Sequence, residues 1–177
     1  PNIEAEKGWN SELGIKQGIS TRYFQGQVDL ALFYSQNSGM IEYIFGNYPD
    51  PADGNYGFGF RAFNTEASRV YGAELEYVIS KTIGNVTNIL NGGYVFMYPV
   101  EYNPNTGKNT GVMLKYRRKH AASLNLVSTY RKLDMGVSLY YKSRMLNIDD
   151  VFLNELTRET ILPGFFDYWQ EHNKGYF

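Results

Sequence analysis

Ribbons of alternating apolar and polar residues, an excess of tyrosine, and connections that run short then long predict an all-β chain. The expected architecture is an antiparallel up-and-down transmembrane β-barrel segment of about six strands plus the start of a seventh, part of a larger barrel. The ribbon that sets the pattern is Val70-Tyr-Gly-Ala-Glu-Leu-Glu-Tyr-Val-Ile-Ser80. Ala73, Leu75, Tyr77 and Ile79 share one parity, and Gly72, Glu74, Glu76 and Val78 the other. Successive strand residues point to opposite faces, so one face is apolar and the other carries two carboxylates. A buried parallel strand is apolar on both faces, which this one is not. The remaining contexts are a soluble antiparallel sheet and a barrel wall between lipid and water.

Composition narrows the classes. The chain has 177 residues, enough for a sizeable core, and a formal net charge of −1, which points neither to nucleic acid nor to an acidic surface. Cysteine is absent, which removes disulfides, thiolate zinc sites and cysteine nucleophiles. Tyr occurs 16 times against 2 Trp, and Tyr suits a surface that is apolar on one side and wet on the other. No apolar run reaches the ~18 residues of a transmembrane helix, a condition that a β-barrel does not need to meet. Pro1 follows no initiator Met and no secretory leader, and the chain reads as an internal piece.

In order, the first strand spans about Gly8 to Ile19, with Trp9, Leu13, Ile15 and Ile19 apolar against Asn10, Glu12 and Lys16. A polar turn follows, flanked by Tyr23 and Phe24. The second strand runs from about Gln27 to Phe45, with a bulge expected at Asn37–Gly39 because the apolar parity switches there. Gly46 to Phe60 reads as a loop whose prolines and glycines break pairing. The third strand covers about Arg61 to Ser80 and ends in a tight turn at Lys81–Gly84. The fourth covers about Asn85 to Glu101, with Gly92-Gly93 marking curvature or a close neighbour. A second long loop spans Pro99 to Leu114. The fifth strand lies at Lys119–Tyr130 and the sixth at Met135–Lys142, joined by a short turn. A third excursion runs from Ser143 to about Lys174, with a helix capped by Asp149 or Asp150, running through Thr157 and stopped by Pro163-Gly164. A seventh strand starts at Gly175–Phe177.

Tight turns at one end and large loops at the other are what strands crossing a bilayer produce. Tyr23, Phe24 and Tyr130 at the short-turn end fit an aromatic girdle. Six strands and a stub do not close a barrel, and an open edge exposes backbone donors to lipid, so further strands are expected on both sides. Two alternatives stay open: a soluble antiparallel β-sandwich that binds carbohydrate through aromatic loops, and a passive or adhesive outer-membrane barrel.

Several stretches carry a resemblance. They are Glu6-Lys-Gly-Trp-Asn-Ser-Glu-Leu-Gly-Ile-Lys-Gln17, Asp29-Leu-Ala-Leu-Phe-Tyr34 with Ile41-Glu-Tyr-Ile44, Asn64-Thr-Glu-Ala-Ser-Arg-Val-Tyr-Gly-Ala-Glu-Leu-Glu76, Tyr116-Arg-Arg-Lys-His120, and Tyr141-Lys-Ser-Arg144 with Ile148-Asp149. Together they resemble the C-terminal barrel region of TonB-dependent outer-membrane receptors of the Bacteroidetes type. The resemblance implies the outer membrane of a Gram-negative bacterium and a barrel of 22 strands around an N-terminal plug. It also implies a partner, TonB, engaged through an N-terminal region that lies outside residues 1–177, and a bulky ligand such as a siderophore or other iron chelate, cobalamin or a glycan. Phe177 reads as a point of truncation, because Gly175, Asn173 and Glu171 replace the apolar alternation of a natural barrel end.

No catalytic constellation, cofactor motif or metal-ligand spacing is visible, so an enzyme is the least supported class. His120 and His172 lack ligand spacing, and His120 reads as a solvated strand end. Asp149-Asp150 reads as a helix cap. Asp50 and Asp53 lack the spacing of an EF-hand, and Gly57-Phe-Gly59 lacks the helix of a phosphate cradle. Glu74 and Glu76 share a face roughly 7 Å apart. With Glu12 and Lys16 they read as lining of a wet barrel lumen, neutralised across strands by Lys16 or Arg69. Candidate ligand-contacting residues are the loop aromatics Tyr48, Tyr56, Phe58, Phe60, Tyr102, Tyr168 and Trp169. The competing reading is that these rings, with Phe165 and Phe166, pack on one another to order the loops.

Overall fold

Among the described residues nine strands and three short helices form: β1 (Lys7–Ser20), β2 (Gln25–Ser38), β3 (Ile41–Pro49), β4 (Tyr56–Asn64), β5 (Ala67–Ile83), β6 (Val86–Asn103), β7 (Lys108–Met113), β8 (His120–Tyr130), β9 (Leu133–Lys142), α1 (Asp150–Leu153), α2 (Arg158–Ile161) and α3 (Phe165–His172). The computed structural model describes residues 3–49, 54–64 and 67–176. Asp50, Asp53, Thr65, Glu66 and Phe177, each part of an expectation above, lie outside the described residues.

The main sheet has the order β1-β2-β5-β6-β8-β9, every pair antiparallel, with β7 on the upper part of β6. Its short connections are Thr21–Phe24, Gly84–Asn85 and Arg131–Lys132, all at one end. The first is tied by Thr21, whose hydroxyl accepts from the amides of Tyr23 and Phe24. The excursions 39–66, 104–119 and 143–175 stand at the other end.

The register converts sequence alternation into two faces. Ile15 lies opposite Leu30, Leu30 opposite Leu75, Leu75 opposite Tyr94 and Tyr94 opposite Ala122. Leu124 then faces Leu139, and Leu126 faces Val137. The result is one apolar surface across six strands. It has no second layer from the described residues: Leu13 is 76% exposed, Leu32 55% and Val137 61%. A soluble sandwich must cover this face, and the chain leaves it bare, which sets the sandwich alternative aside. The residues buried from solvent lie elsewhere. Ala67, Ser68, Val100, Tyr102, Ser143 and Ile148 gather at the long-loop end.

An aromatic ladder crosses the apolar face just below that packed end. Trp9 stacks on Tyr34 at 5.1 Å, Tyr34 on Tyr71 at 6.2 Å, and Tyr71 meets Tyr98 at 5.3 Å, with the Lys119 ammonium 4.7 Å from the Tyr98 ring centre. At the opposite end Tyr23 is exposed and Arg131 sits 5.3 Å over Tyr130. Polar-tipped rings at both margins of an apolar band are the girdle arrangement.

Two glycines permit close strand contact. A Cβ on Gly72 would lie 1.9 Å from the carbonyl oxygen of Phe96. The Tyr77 ring covers Gly92, so the expected close neighbour at Gly92-Gly93 is an aromatic side chain.

Several boundaries differ from expectation. The expected second strand divides at Gly39–Met40, because Gly39 takes a φ of +67° that a pleated strand does not, and the expected third strand is described as β4 and β5. Pairing then resumes without slipping: counting on from Asn37↔Ser68 leads directly to Ile41↔Asn64. The expected loop Gly46–Phe60 is largely a hairpin, paired through Phe45↔Phe60 to Pro49↔Tyr56. Pro49 is tolerated because it closes the strand, where no further ladder bond is required of it. The expected loop Pro99–Leu114 contains the end of β6 and all of β7. The turn at Lys81–Gly84 is displaced, since β5 continues to Ile83. The helix through Thr157 is three short pieces, with Pro163-Gly164 ending one region and Gly164 standing at the N-cap of α3. Where a seventh strand is expected to start, Tyr176 makes an isolated bridge to Lys142 through two 2.9 Å backbone bonds.

Candidate functional site

The polar face presents a row at the level of Glu76. Lys16 lies opposite Asp29, Asp29 opposite Glu76, Glu76 opposite Gly93, and Gly93 opposite Ser123, which faces Tyr140. The Lys16 ammonium is 2.9 Å from Asp29. Neighbouring Asn91, Asn125 and Tyr140 help line a concavity of about 350 Å³. A second concavity is lined by Glu12, Asp29, Glu74 and Glu76. The expected lumenal residues therefore share one face and one neighbourhood. Arg69 does not join them. It lies on the opposite parity, its Nε donates to Gln36 Oε1 at 3.1 Å, its Nη1 donates to Gly107 O at 2.9 Å and Asn109 Oδ1 at 3.2 Å, and it covers the Tyr102 ring at 4.1 Å.

At the long-loop end the three excursions meet at Lys115. Its ammonium lies 3.4 Å from Glu42 on β3, 3.5 Å from Asp149 and 3.9 Å from Asp150. Partial burial works against the charge, but these carboxylates outweigh it and hold the ammonium above its ordinary value. Beside it the Tyr116 hydroxyl donates to Asp149, and burial together with that bond pushes the phenol up to about 12. Tyr116 has a φ of +57°, an uncommon conformation for a residue with a side chain, and its amide donates to Asn147 O at 2.8 Å. Asp149 stands at the N-cap position of α1 but makes no capping bond with its side chain, which goes to Lys115 and Tyr116 instead. The expected helix cap is corrected to an ionic tie.

The β3–β4 hairpin has two unlike faces. Tyr43, Phe45, Tyr56, Phe58 and Phe60 share one, where Phe45 stacks on Phe58 at 6.1 Å and meets Phe60 edge-on at 5.2 Å. Tyr48 lies on the other, its hydroxyl donating to Ile44 O and its ring covered by Arg61. In the third excursion Trp169 packs beside Phe166, while Tyr168 is exposed and stacks on His172 at 4.1 Å. Tyr102 is 5% exposed, and its hydroxyl accepts from Gln36 Nε2 at 2.8 Å, so it orders the wall and does not reach outward. His120 is not a free strand end either: it bonds the Tyr94 hydroxyl at 2.7 Å and packs on Phe96. The candidate aromatics thus divide. Tyr56, Phe58, Phe60 and Tyr168 are exposed, and Tyr48, Tyr102 and Trp169 serve packing.

A bare apolar face and a charged inner face on one up-and-down sheet meet a decisive comparison. The family described as TonB dependent receptor-like, beta-barrel matches residues 1–169. The chain belongs to that family. Comparison with curated proteins returns no match. The family consists of outer-membrane receptors of Gram-negative bacteria that act in transport, and an antiparallel barrel wall is the fold it requires.

Sequence reasoning missed Glu42, Lys115 and Tyr116. Lys115 and Glu42 are 73 residues apart, and no periodicity reports such a contact. The only local signal is the basic run Lys115-Tyr-Arg-Arg-Lys119 beside a loop.

Proposed function

We propose that the chain forms part of the wall of a TonB-dependent outer-membrane transporter and supplies ligand-contacting loops. The apolar face contacts lipid and the polar face, with Glu12, Lys16, Glu74 and Glu76, borders the aqueous bore. The short turns lie in the periplasm and the three long excursions are extracellular, where Tyr56, Phe58, Phe60 and Tyr168 meet a bulky ligand: an iron chelate, cobalamin or a glycan. The edges of β1 and β9 pair with further strands of a larger barrel, and TonB engages the receptor N-terminal to this wall. The observation that carries the reading is the uncovered six-strand apolar face backed by a charged one.

Residues 1–177 hold no cysteine, so in a receptor whose cysteines elsewhere, if present, are replaced by serine a single substitution reports one position. In intact cells a membrane-impermeant maleimide should label Phe58→Cys at once. Tyr23→Cys should label only after the outer membrane is permeabilised, and Leu30→Cys should stay unlabelled. Labelling of Tyr23→Cys but not Phe58→Cys on intact cells overturns the orientation, and ready labelling of Leu30→Cys overturns the membrane reading.

A further inference from the structure

The β3–β4 hairpin stands apart from the wall that carries it. Its two strands pair only with each other, and no other strand or helix among the described residues packs extensively against them. It holds its aromatic face open: Phe58 is 78% exposed and Phe60 63%. Rings that served only to order their own loop would cover one another more completely than this. Gly57 and Gly59 occupy the opposite face of β4, and a Cβ at either meets nothing within 4 Å, so no side chain of β4 backs Phe58.

Opposite the rings lies the start of the third excursion. Phe45, Phe58 and Phe60 face Asp150, Val151 and Asn154 across a cavity of about 190 Å³. That is below the ~300–1,000 Å³ of a pocket for a drug-sized molecule, so it takes one ring-sized unit of a larger ligand and cannot enclose a macrocycle. The lining carries Asp149 and Asp150 against the single ammonium of Lys115, a surplus of negative charge. That surplus opposes an anionic ligand. The best position for a cation is already filled, because Lys115 lies within 3.9 Å of Asp149 and Asp150, and also contacts Glu42 outside the pocket. What remains outward is hydrogen-bond acceptance: the Asp150 side chain is 86% exposed and makes the longest of the three contacts.

We infer that this pocket binds one pyranose ring of a neutral oligosaccharide. A sugar ring has an apolar C–H face and an edge of hydroxyl donors. The first lies on Phe58 and Phe60, and the second donates to Asp150. The inference rests on the proposed transporter role and narrows its ligand from three classes to one.

The test uses the full-length receptor purified in detergent, titrated calorimetrically with neutral hexasaccharides of glucose, xylose and mannose, with an anionic galacturonate hexamer, and with a cationic glucosamine hexamer. At least one neutral hexamer binds, and the anionic one binds more weakly. Phe58→Ala and Phe60→Ala each weaken the neutral sugar about three- to tenfold. Both variants fold as before, since exposed rings leave no cavity, and heat-modifiable migration on gels checks this. Asp150→Asn narrows the gap between the neutral and anionic hexamers. Absence of binding by every neutral hexamer, preference for a charged hexamer, or unchanged affinity in Phe58→Ala overturns the assignment. The transporter reading fails separately, through the maleimide pattern described above, and survives if only the sugar titrations fail.

Discussion

Leu30→Arg separates a lipid-facing wall from a water-facing sheet by magnitude. β2 has 14 residues, about 48 Å at ~3.4 Å per residue. Tilted by ~40° it rises about 36 Å, enough to cross a hydrocarbon core of ~30 Å. Leu30 lies four residues from Tyr34 in the aromatic ladder and six from Phe24 in the turn, so it sits about 10 and 16 Å from the two margins, near the midplane. Its neighbours across the strands are Ile15 and Leu75. An arginine at that depth costs about 2–4 kcal/mol. On a water-facing sheet, a position already 42% exposed tolerates the same change within about 0.5 kcal/mol. The assay is urea-dependent folding of the full-length receptor into lipid vesicles, read by heat-modifiable migration, with Glu76→Gln on the polar face as control. Leu30→Arg should lower the folding equilibrium by more than about thirtyfold, and Glu76→Gln by less than about threefold. A Leu30→Arg variant as stable as the parent would falsify the assignment of that face to lipid.

Other expectations follow from single contacts. Gly72→Ala forces a methyl group against the Phe96 carbonyl and the Met97 backbone, and it should cost about 3 kcal/mol or more in the same assay, whereas Gly57→Ala meets open space and should be neutral. Lys115→Met removes the tie between β3 and the third excursion, worth about 1 kcal/mol for partly exposed ion pairs, and should speed proteolysis within the β3–β4 hairpin severalfold while leaving the wall intact. The same tie is sensitive to alkali. The Lys115 and Tyr116 groups are both raised in the folded protein, so their stabilisation is complete below their ordinary values of 10.5 and 10.0 and is lost as pH climbs through the folded ones, about 12 for Tyr116. Hairpin proteolysis should therefore be flat from pH 7 to 9 and rise above about pH 10, and a Tyr116→Phe variant should show a smaller rise. A profile that rises already between pH 7 and 9 contradicts this account.

The wall was legible because strand periodicity survives in a barrel without interference from tertiary packing: each face meets one uniform medium. Ala73, Leu75 and Tyr77 could be assigned from spacing alone, and the register across five neighbours agrees. The long-loop end resisted the same reasoning. Proline and glycine at 46–60 suggested broken pairing, yet glycines cost a ladder no hydrogen bond and Pro49 sits at its last rung. Tyr102 looked like a loop ring, but β6 runs two residues beyond the expected end and carries it into the packed layer with Ala67 and Val100. Asp149 looked like a cap because caps are local, whereas its actual partners Lys115 and Tyr116 arrive from another excursion. Spacing reports what a residue does for its own strand or helix, and the loop end is built from contacts between excursions.

The stacked rings of Trp9, Tyr34, Tyr71 and Tyr98 also fix a waterline. Because each leans on the next, they resist vertical displacement together, and in the proposed orientation they hold the excursions above them at a constant height over the lipid. Among the described residues the opposite margin shows no such stack: Tyr23 lies in the first short turn and Tyr130 ends β8. In that proposed orientation a thinner or thicker bilayer is accommodated at the short-turn hairpins, and the long excursions are insulated from the thickness of the lipid around them.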